Sequence, residues 1–127
     1  MTAAGVESLQ ERANADSWLV HRGRHLDTSF LLEVGAEQFL IHIHRGRVES
    51  VETGPLVMPR WNFALRAPAD AWATFWKSVP PPGYNDLIGM VKMRALRIEG
   101  DQHPFMANLR YFKDLLALLR AQGGGAR

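Results

Sequence analysis

His42 and His44 lie two residues apart in an alternating stretch, so on a strand their imidazoles share one face, which is how a metal site can begin. A third ligand would have to come from His21, His25, His103 or a carboxylate. A closed zinc site usually shows four spaced ligands, so no metal and no cofactor are expected, and the pair reads as the polar face of a half-exposed strand. Glu99 and Asp101 flank Gly100 as a carboxylate pair would, but a turn residue followed by a helix cap explains them more simply. Ser8, Ser17, Ser29, Ser50 and Ser78 sit in no nucleophile elbow, and no glycine-rich phosphate loop joins a strand to a helix. With no cysteine there is no thiol nucleophile. Catalysis is therefore not expected, and a small metal-dependent enzyme using His42 and His44 is the enzymatic alternative.

Two other groups of side chains bear on function. Arg45, Arg47, Arg60, Arg66, Arg94 and Arg97 would suit a phosphate or an acidic head group. However, the 15 basic residues are scattered and face 13 acidic ones, for a net charge of +2, so no dedicated nucleic-acid surface is expected. More informative is the concentration of Trp61, Phe63, Trp72, Phe75, Trp76, Tyr84, Met90, Met93, Phe105, Met106 and Phe112 in one half of the chain. Methionine adapts to variable apolar shapes, and ligand pockets are mostly apolar with a few polar groups. Residue types alone leave both readings open: a solid core, or the wall of a pocket.

The elements that must hold these residues are legible from periodicity. A chain of 127 residues suggests one domain able to bury a core without staples. Residues 1–5 read as a loose start, and Val6–Asn14 as a short helix with Leu9 and Ala13 inward. Ala15–Leu26 reads as either a second helix or an extended lead-in. From Thr28 the period is two: Phe30, Leu32 and Val34 alternate with Ser29 and Glu33. After Gly35-Ala36, Phe39, Ile41 and Ile43 alternate with Leu40, His42 and His44. Arg45-Gly46 is a second tight link, leading to Val48, Ser50 and Val51. Three strands joined by short links make an antiparallel meander. Trp61, Phe63 and Leu65 make a fourth strand.

Pro68 fits the first position of a helix with Trp72, Phe75, Trp76 and Val79 on its buried stripe, and Pro80-Pro81-Pro82-Gly83 ends it. Asn85 would cap a short helix over Asp86–Lys92. Leu96 and Ile98 form a last strand that stops at Gly100-Asp101. Phe105, Leu109, Phe112, Leu116 and Leu119 step by four, three, four and three along a closing helix with Asp101 as its cap. Helices segregated from strands give an α+β class, with a five-stranded, mainly antiparallel sheet and helices packed on one face. No run of about 18 apolar residues is present, so no membrane span is expected. The polar start and the lack of cysteine suit a cytoplasmic protein.

The order of these pieces resembles the sterol carrier protein family, type two, over roughly residues 28–120. The resemblance rests on His44-Arg45-Gly46-Arg47-Val48 closing the meander, the aromatic strand Trp61–Leu65, and the Pro-Ala-Asp helix with Trp72 and Phe75. Its strongest part is Leu96-Arg97-Ile98-Glu99-Gly100-Asp101, leading into a helix with Asn108, Leu109 and Phe112. It implies a bacterial-type stand-alone member, a single sterol-carrier-like domain over 1–127 with a helical extension at 1–27 and a flexible tail at 121–127. It also implies an apolar tunnel between sheet and helices, which tips the aromatic and methionine cluster toward a pocket wall.

The expected function is then non-catalytic binding or transfer of an apolar small molecule: a fatty acyl, isoprenoid or sterol-like ligand, with a linear chain the easiest to fit. Trp61, Phe63, Trp72, Trp76, Leu87, Met90, Val91, Met106, Leu109 and Phe112 would line the site. Arg60, Arg66 or Arg94 would receive an acidic head group. The alternative is a homodimeric interaction domain with a filled core, meeting its copy through Leu31 and Leu40 on the opposite sheet face.

Overall fold

The computed structural model describes residues 5, 6, 8–56 and 59–120. Two short helices, α1 (Leu9–Ala15) and α2 (Ser17–Arg22), precede strands β1 (Asp27–Val34), β2 (Glu37–His44), β3 (Arg47–Thr53) and β4 (Phe63–Ala67). Helices α3 (Ala69–Phe75) and α4 (Leu87–Lys92) follow, then β5 (Arg97–Gly100), α5 (His103–Ala107) and α6 (Leu109–Ala117). The five strands form one sheet in the order β3-β2-β1-β4-β5. β1 runs parallel to β4, and every other neighbouring pair is antiparallel. The fold is α+β, as the periodicity indicates.

One sheet face carries the core. Phe30, Leu32, Phe39, Ile41, Ile43, Phe63 and Leu65 are all buried there, and the helices bring Leu9, Ala13, Trp72, Phe75, Leu87, Met90, Phe105, Phe112, Leu115 and Leu116 onto them. Phe30 and Phe63 sit opposite in the parallel register, their rings stacked 5.3 Å apart. Phe112 meets both edge-on, at 5.4 and 5.3 Å. Offset and edge-to-face contacts of this kind add to the burial term, which is why α6 seats firmly over β1 and β4.

The other face corrects one expectation. Leu31, Leu40 and Ala64 point away from the core but are only 1%, 5% and 0% exposed. They do not form the open contact surface expected of Leu31 and Leu40. A polar lattice surrounds them: Glu33 to Arg66, Arg66 to Glu99, and His42 to Glu52. Just before β4, Trp61 lies beside the outward-facing Arg66, 5.9 Å from ring centre to guanidinium carbon.

Helix ends depart from the periodicity for identifiable reasons. α3 ends at Phe75 and leaves Val79 83% exposed, because the residue before a proline avoids helical backbone and three prolines in a row supply no N–H. Its start is also shifted: Pro68 is the extended residue before the helix, and its carbonyl accepts from Ala71 and Trp72. Asp86 rather than Asn85 caps α4, accepting from Gly89 N at 3.0 Å. The closing helix is divided at Asn108, whose side-chain Nδ2 donates to Pro104 O at 3.0 Å. That amide takes the place of the backbone N–H in an i to i−4 bond, so the chain can bend without losing it. Asp101 acts at the start of this segment, with its Oδ1 accepting from His103 N at 3.1 Å. Gly100, at φ +90°, lets Asp101 N donate to Asn62 O, where any Cβ would lie 2.6 Å from that same oxygen. The open reading of Ala15–Leu26 resolves as α2. The expected loose start falls largely, and the expected flexible tail over 121–127 wholly, outside the described residues.

Candidate functional site

The ten side chains expected to line a pocket separate into three settings. Phe63, Trp72, Trp76, Leu87, Met90 and Phe112 are in the buried core cluster, with Val91 and Leu109 half-buried against it. Met106 is 52% exposed, and Trp61 lies on the far sheet face beside Arg66. Within the core the two tryptophans are 0% and 4% exposed. Their rings stack at 5.3 Å, and each indole N–H is engaged, Trp72 Nε1 with Glu33 O at 2.8 Å and Trp76 Nε1 with Leu116 O at 2.9 Å. An indole is easily buried when its single donor is satisfied, which removes the polar reason for keeping open space around it.

Ile88 and Leu109, both half-buried, come together at the surface over the fully buried Leu87. They form the apolar part of an open groove of about 560 Å³ between the start of α4 and α6. Asp86, Arg110, Lys113 and Asp114 make its rim. The rim sets two basic side chains against two acidic ones. Asp114 receives Arg110 at 3.6 Å and Lys113 at 3.9 Å, and Arg22 reaches it from outside the groove at 3.3 Å. One wall is held by Arg120, whose guanidinium donates to Phe75 O at 2.9 Å and to Asn85 O at 3.0 Å and lies 4.5 Å from the Phe75 ring centre. Burial lowers the Arg120 pKa, the cost of placing a charge where it can tie three segments together. Ile88 and the cations of α6 are not singled out by the sequence. The signal available is the adjacent apolar pair Leu87-Ile88, which a single buried stripe on a helix this short does not need.

Of the three arginines expected at a ligand head, Arg66 and Arg94 meet in a different recess of about 370 Å³, at the opposite end of α4, together with Arg97. Glu33, Gly35, Ala67, Pro68 and Ala95 complete its lining. Arg66 is held from two sides, by Glu33 at 2.5 Å and by Glu99 at 2.8 Å. Burial works against the Arg66 charge, but its hydrogen bonds to Glu99 and Glu33 outweigh that and raise its pKa. In return, the hydrogen bond from Arg66 holds the Glu99 carboxyl below the usual carboxylate range. Arg60 is exposed and lines neither depression.

The histidines have individual partners. His42 Nδ1 lies 2.6 Å from Ser29 Oγ, and its Nε2 lies 3.1 Å from Glu52 Oε2. His44 Nδ1 lies 2.5 Å from Asp27 Oδ1. Among the described residues no group of three or more histidines and carboxylates converges as a metal site would. Ser29, His42 and Glu52 have the residue types of a nucleophilic relay. They sit on three adjacent strands, however, where Ser29 N already donates to Asn62 Oδ1 at 2.9 Å. Acyl transfer also needs a pair of free donors aimed at an oxyanion, and strand N–H groups engaged in the ladder do not provide one. The relay ties β1, β2 and β3 together across their outer face.

No family model and no curated protein sequence matches the chain. Solved structures do. Sterol carrier protein 2 is similar at a TM-score of 0.76, with 12% identity over 94% of this chain and 95% of that one. A conserved hypothetical protein from Thermus thermophilus is similar at 0.70, with 10% identity over 94% and 89%. A ubiquinone synthesis protein described as UbiJ-SCP2 is similar at 0.58, with 16% identity over 92% and 94%. Identities this low speak to architecture alone. The order of strands, crossover and closing helices is therefore the fold of sterol carrier protein type two, the architecture that the Leu96–Asp101 step and the aromatic strand implied.

Proposed function

We propose that this chain binds, without transforming it, a linear apolar molecule such as a fatty acyl or isoprenoid chain, in the groove between α4 and α6. The observation that carries the reading is the 560 Å³ groove with half-buried Ile88 and Leu109 as its apolar lining over buried Leu87, backed by the core and rimmed by Asp86, Arg110, Lys113 and Asp114. Its size is that of ordinary small-molecule sites, roughly 300–1,000 Å³. The fold it shares with a protein named as a sterol carrier supports an apolar ligand. Of the expected lining residues, Leu109 would touch the ligand, beside Ile88. Leu87, Phe63, Trp72, Trp76, Met90, Val91 and Phe112 would form the packed bed behind them, and Trp61 and Met106 would play no part.

An open groove sets a modest affinity. Burying a methylene fully contributes about 0.8 kcal/mol, so covering one side contributes about 0.4 kcal/mol. For about fifteen methylenes the ceiling is about 6 kcal/mol before ordering costs, which corresponds to tens of micromolar or weaker. Weak, quickly reversed binding suits transfer better than storage. Titrating the delipidated protein with a fluorescent fatty acid tests this: saturable enhancement with one ligand per chain and a dissociation constant in the tens to hundreds of micromolar is expected. No enhancement up to the solubility of the probe would sink the reading.

A further inference from the structure

The recess at the far end of α4 is not explained by an apolar ligand. Three arginines contribute to its lining from three places: Arg66 from β4, Arg97 from β5 and Arg94 from the turn after α4. Arg66 is oriented in advance by carboxylates on two neighbouring strands. Its hydrogen bonds use Nε and Nη1, which leaves the Nη2 donors available. Arg97 donates its Nε to Glu99 at 2.9 Å and is 71% exposed, so its outer donors are also available. Glu33 and Glu99 are the only carboxylates in this network among the described residues. Three guanidinium groups against two carboxylates leave one positive charge in surplus, and it falls to Arg94, which has no ion-pair partner there.

Arg94 is also conformationally unusual. Its φ is +61°, and it closes α4 with Arg94 N donating to Val91 O at 3.0 Å and Ala95 N to Met90 O at 2.9 Å. This is the glycine-favouring position of a Schellman C-terminus. A side chain there is disfavoured, and the one present is the longest cation available, lining the recess. Strain of this kind persists where the surroundings over-determine it, and often at ligand clamps.

We propose that this recess binds a phosphate monoester, with Arg94 supplying the unmatched charge and Arg66 and Arg97 flanking donors. Planar guanidinium forks match phosphate oxygens, and three of them from different directions suit a tetrahedral dianion better than a planar carboxylate. A recess of about 370 Å³ has room for a small polar group beyond the phosphate. The phosphate can come from a soluble ester or from a lipid head group.

Calorimetric titration of the full chain with inorganic phosphate reads the first source. Co-sedimentation with phosphatidylcholine vesicles, with and without phosphatidic acid, reads the second. Saturable binding of one phosphate per chain is expected, weakened at least tenfold in Arg94→Gly and severalfold in Arg97→Gln, and unchanged in Arg24→Gln, far along the chain on exposed surface. Arg94→Gly is expected to melt higher than the parent, because glycine accepts the left-handed backbone, so loss of binding cannot be confused with loss of fold. Vesicle binding that needs phosphatidic acid and disappears in Arg94→Gly assigns the same chemistry to a lipid head. The proposal is overturned if neither probe binds, if Arg24→Gln weakens binding as much as Arg94→Gly, or if Arg94→Gly changes the melting temperature and not the binding. The fatty-acid titration reports on the groove separately, so either site can fail without the other.

Discussion

The six residues of α4 separate two recesses of opposite chemistry. At the start of the helix, Ile88 and Leu109 present an apolar surface over buried Leu87, and the nearby cations are drawn onto Asp114. At its end, Arg94, Arg97 and Arg66 share two carboxylates and keep one charge unmatched. Helix electrostatics favour this polarity: Asp86 sits at the positive end of α4 and Arg94 just past the negative end. The difference teaches that an anion site is defined by the charge left over and not by the number of cations. The groove rim sets Arg110 and Lys113 against Asp86 and Asp114, whereas the recess sets three arginines against two carboxylates.

The contrast requires the space between the recesses to be solid. Trp72→Ala is the harshest test of that. Removing a buried, hydrogen-bonded indole stacked on Trp76 is expected to destabilise the protein by about 3–5 kcal/mol, read by chemical denaturation. Added indole should restore part of the lost melting temperature by refilling the apolar cavity. A cost below about 1 kcal/mol would mean that Trp72 borders open space, and the wall reading expected for it would return.

Ile88→Asp separates the two recesses directly. Ile88 is half-buried at the groove, so a carboxylate there should barely lower the melting temperature while desolvating against any apolar chain. Fatty-acid affinity should fall at least tenfold, about 1.4 kcal/mol, with phosphate binding untouched. If both ligands weaken together, the recesses are coupled through α4, and their contrast is a property of one site.

Much of this is legible in the sequence, and the parts that are not share a physical cause. Strand order within the meander, the inward set from Phe30 to Leu65 and the buried stripe of the closing helix follow from periods of two and 3.6, which report which face is covered. Periodicity says nothing of what covers the opposite face, which is why it leads one to expect Leu31 and Leu40 to be open. It also cannot tell a packed tryptophan from one bordering a cavity, because both are apolar at the same spacing. The two recesses lie at helix ends, where Ile88 and Arg94 break the local pattern. Arg94 in particular occupies a glycine position that only backbone geometry reveals.

The smallest expected effect concerns Glu99, and it tests the charge argument itself. Its pKa is depressed mainly by the hydrogen bond from Arg66, so its ionised form is favoured by folding. That contribution is present above the unfolded carboxylate pKa, about 4.3, and is lost as pH falls through the depressed folded value. Glu99→Gln should therefore lower neutral-pH stability slightly and flatten the acid limb of the profile by the same small amount, since the group is exposed enough for solvent to screen it. The same substitution raises the surplus of positive charge in the recess from one to two, while Glu33 still orients Arg66. Phosphate binding should tighten severalfold, and more so at low salt. Weaker binding would show that Glu99 serves the site by holding Arg66 and Arg97 in place, so that orientation outweighs charge. The contrast with the Asp114-quenched cations of the groove would then rest on geometry instead of electrostatics.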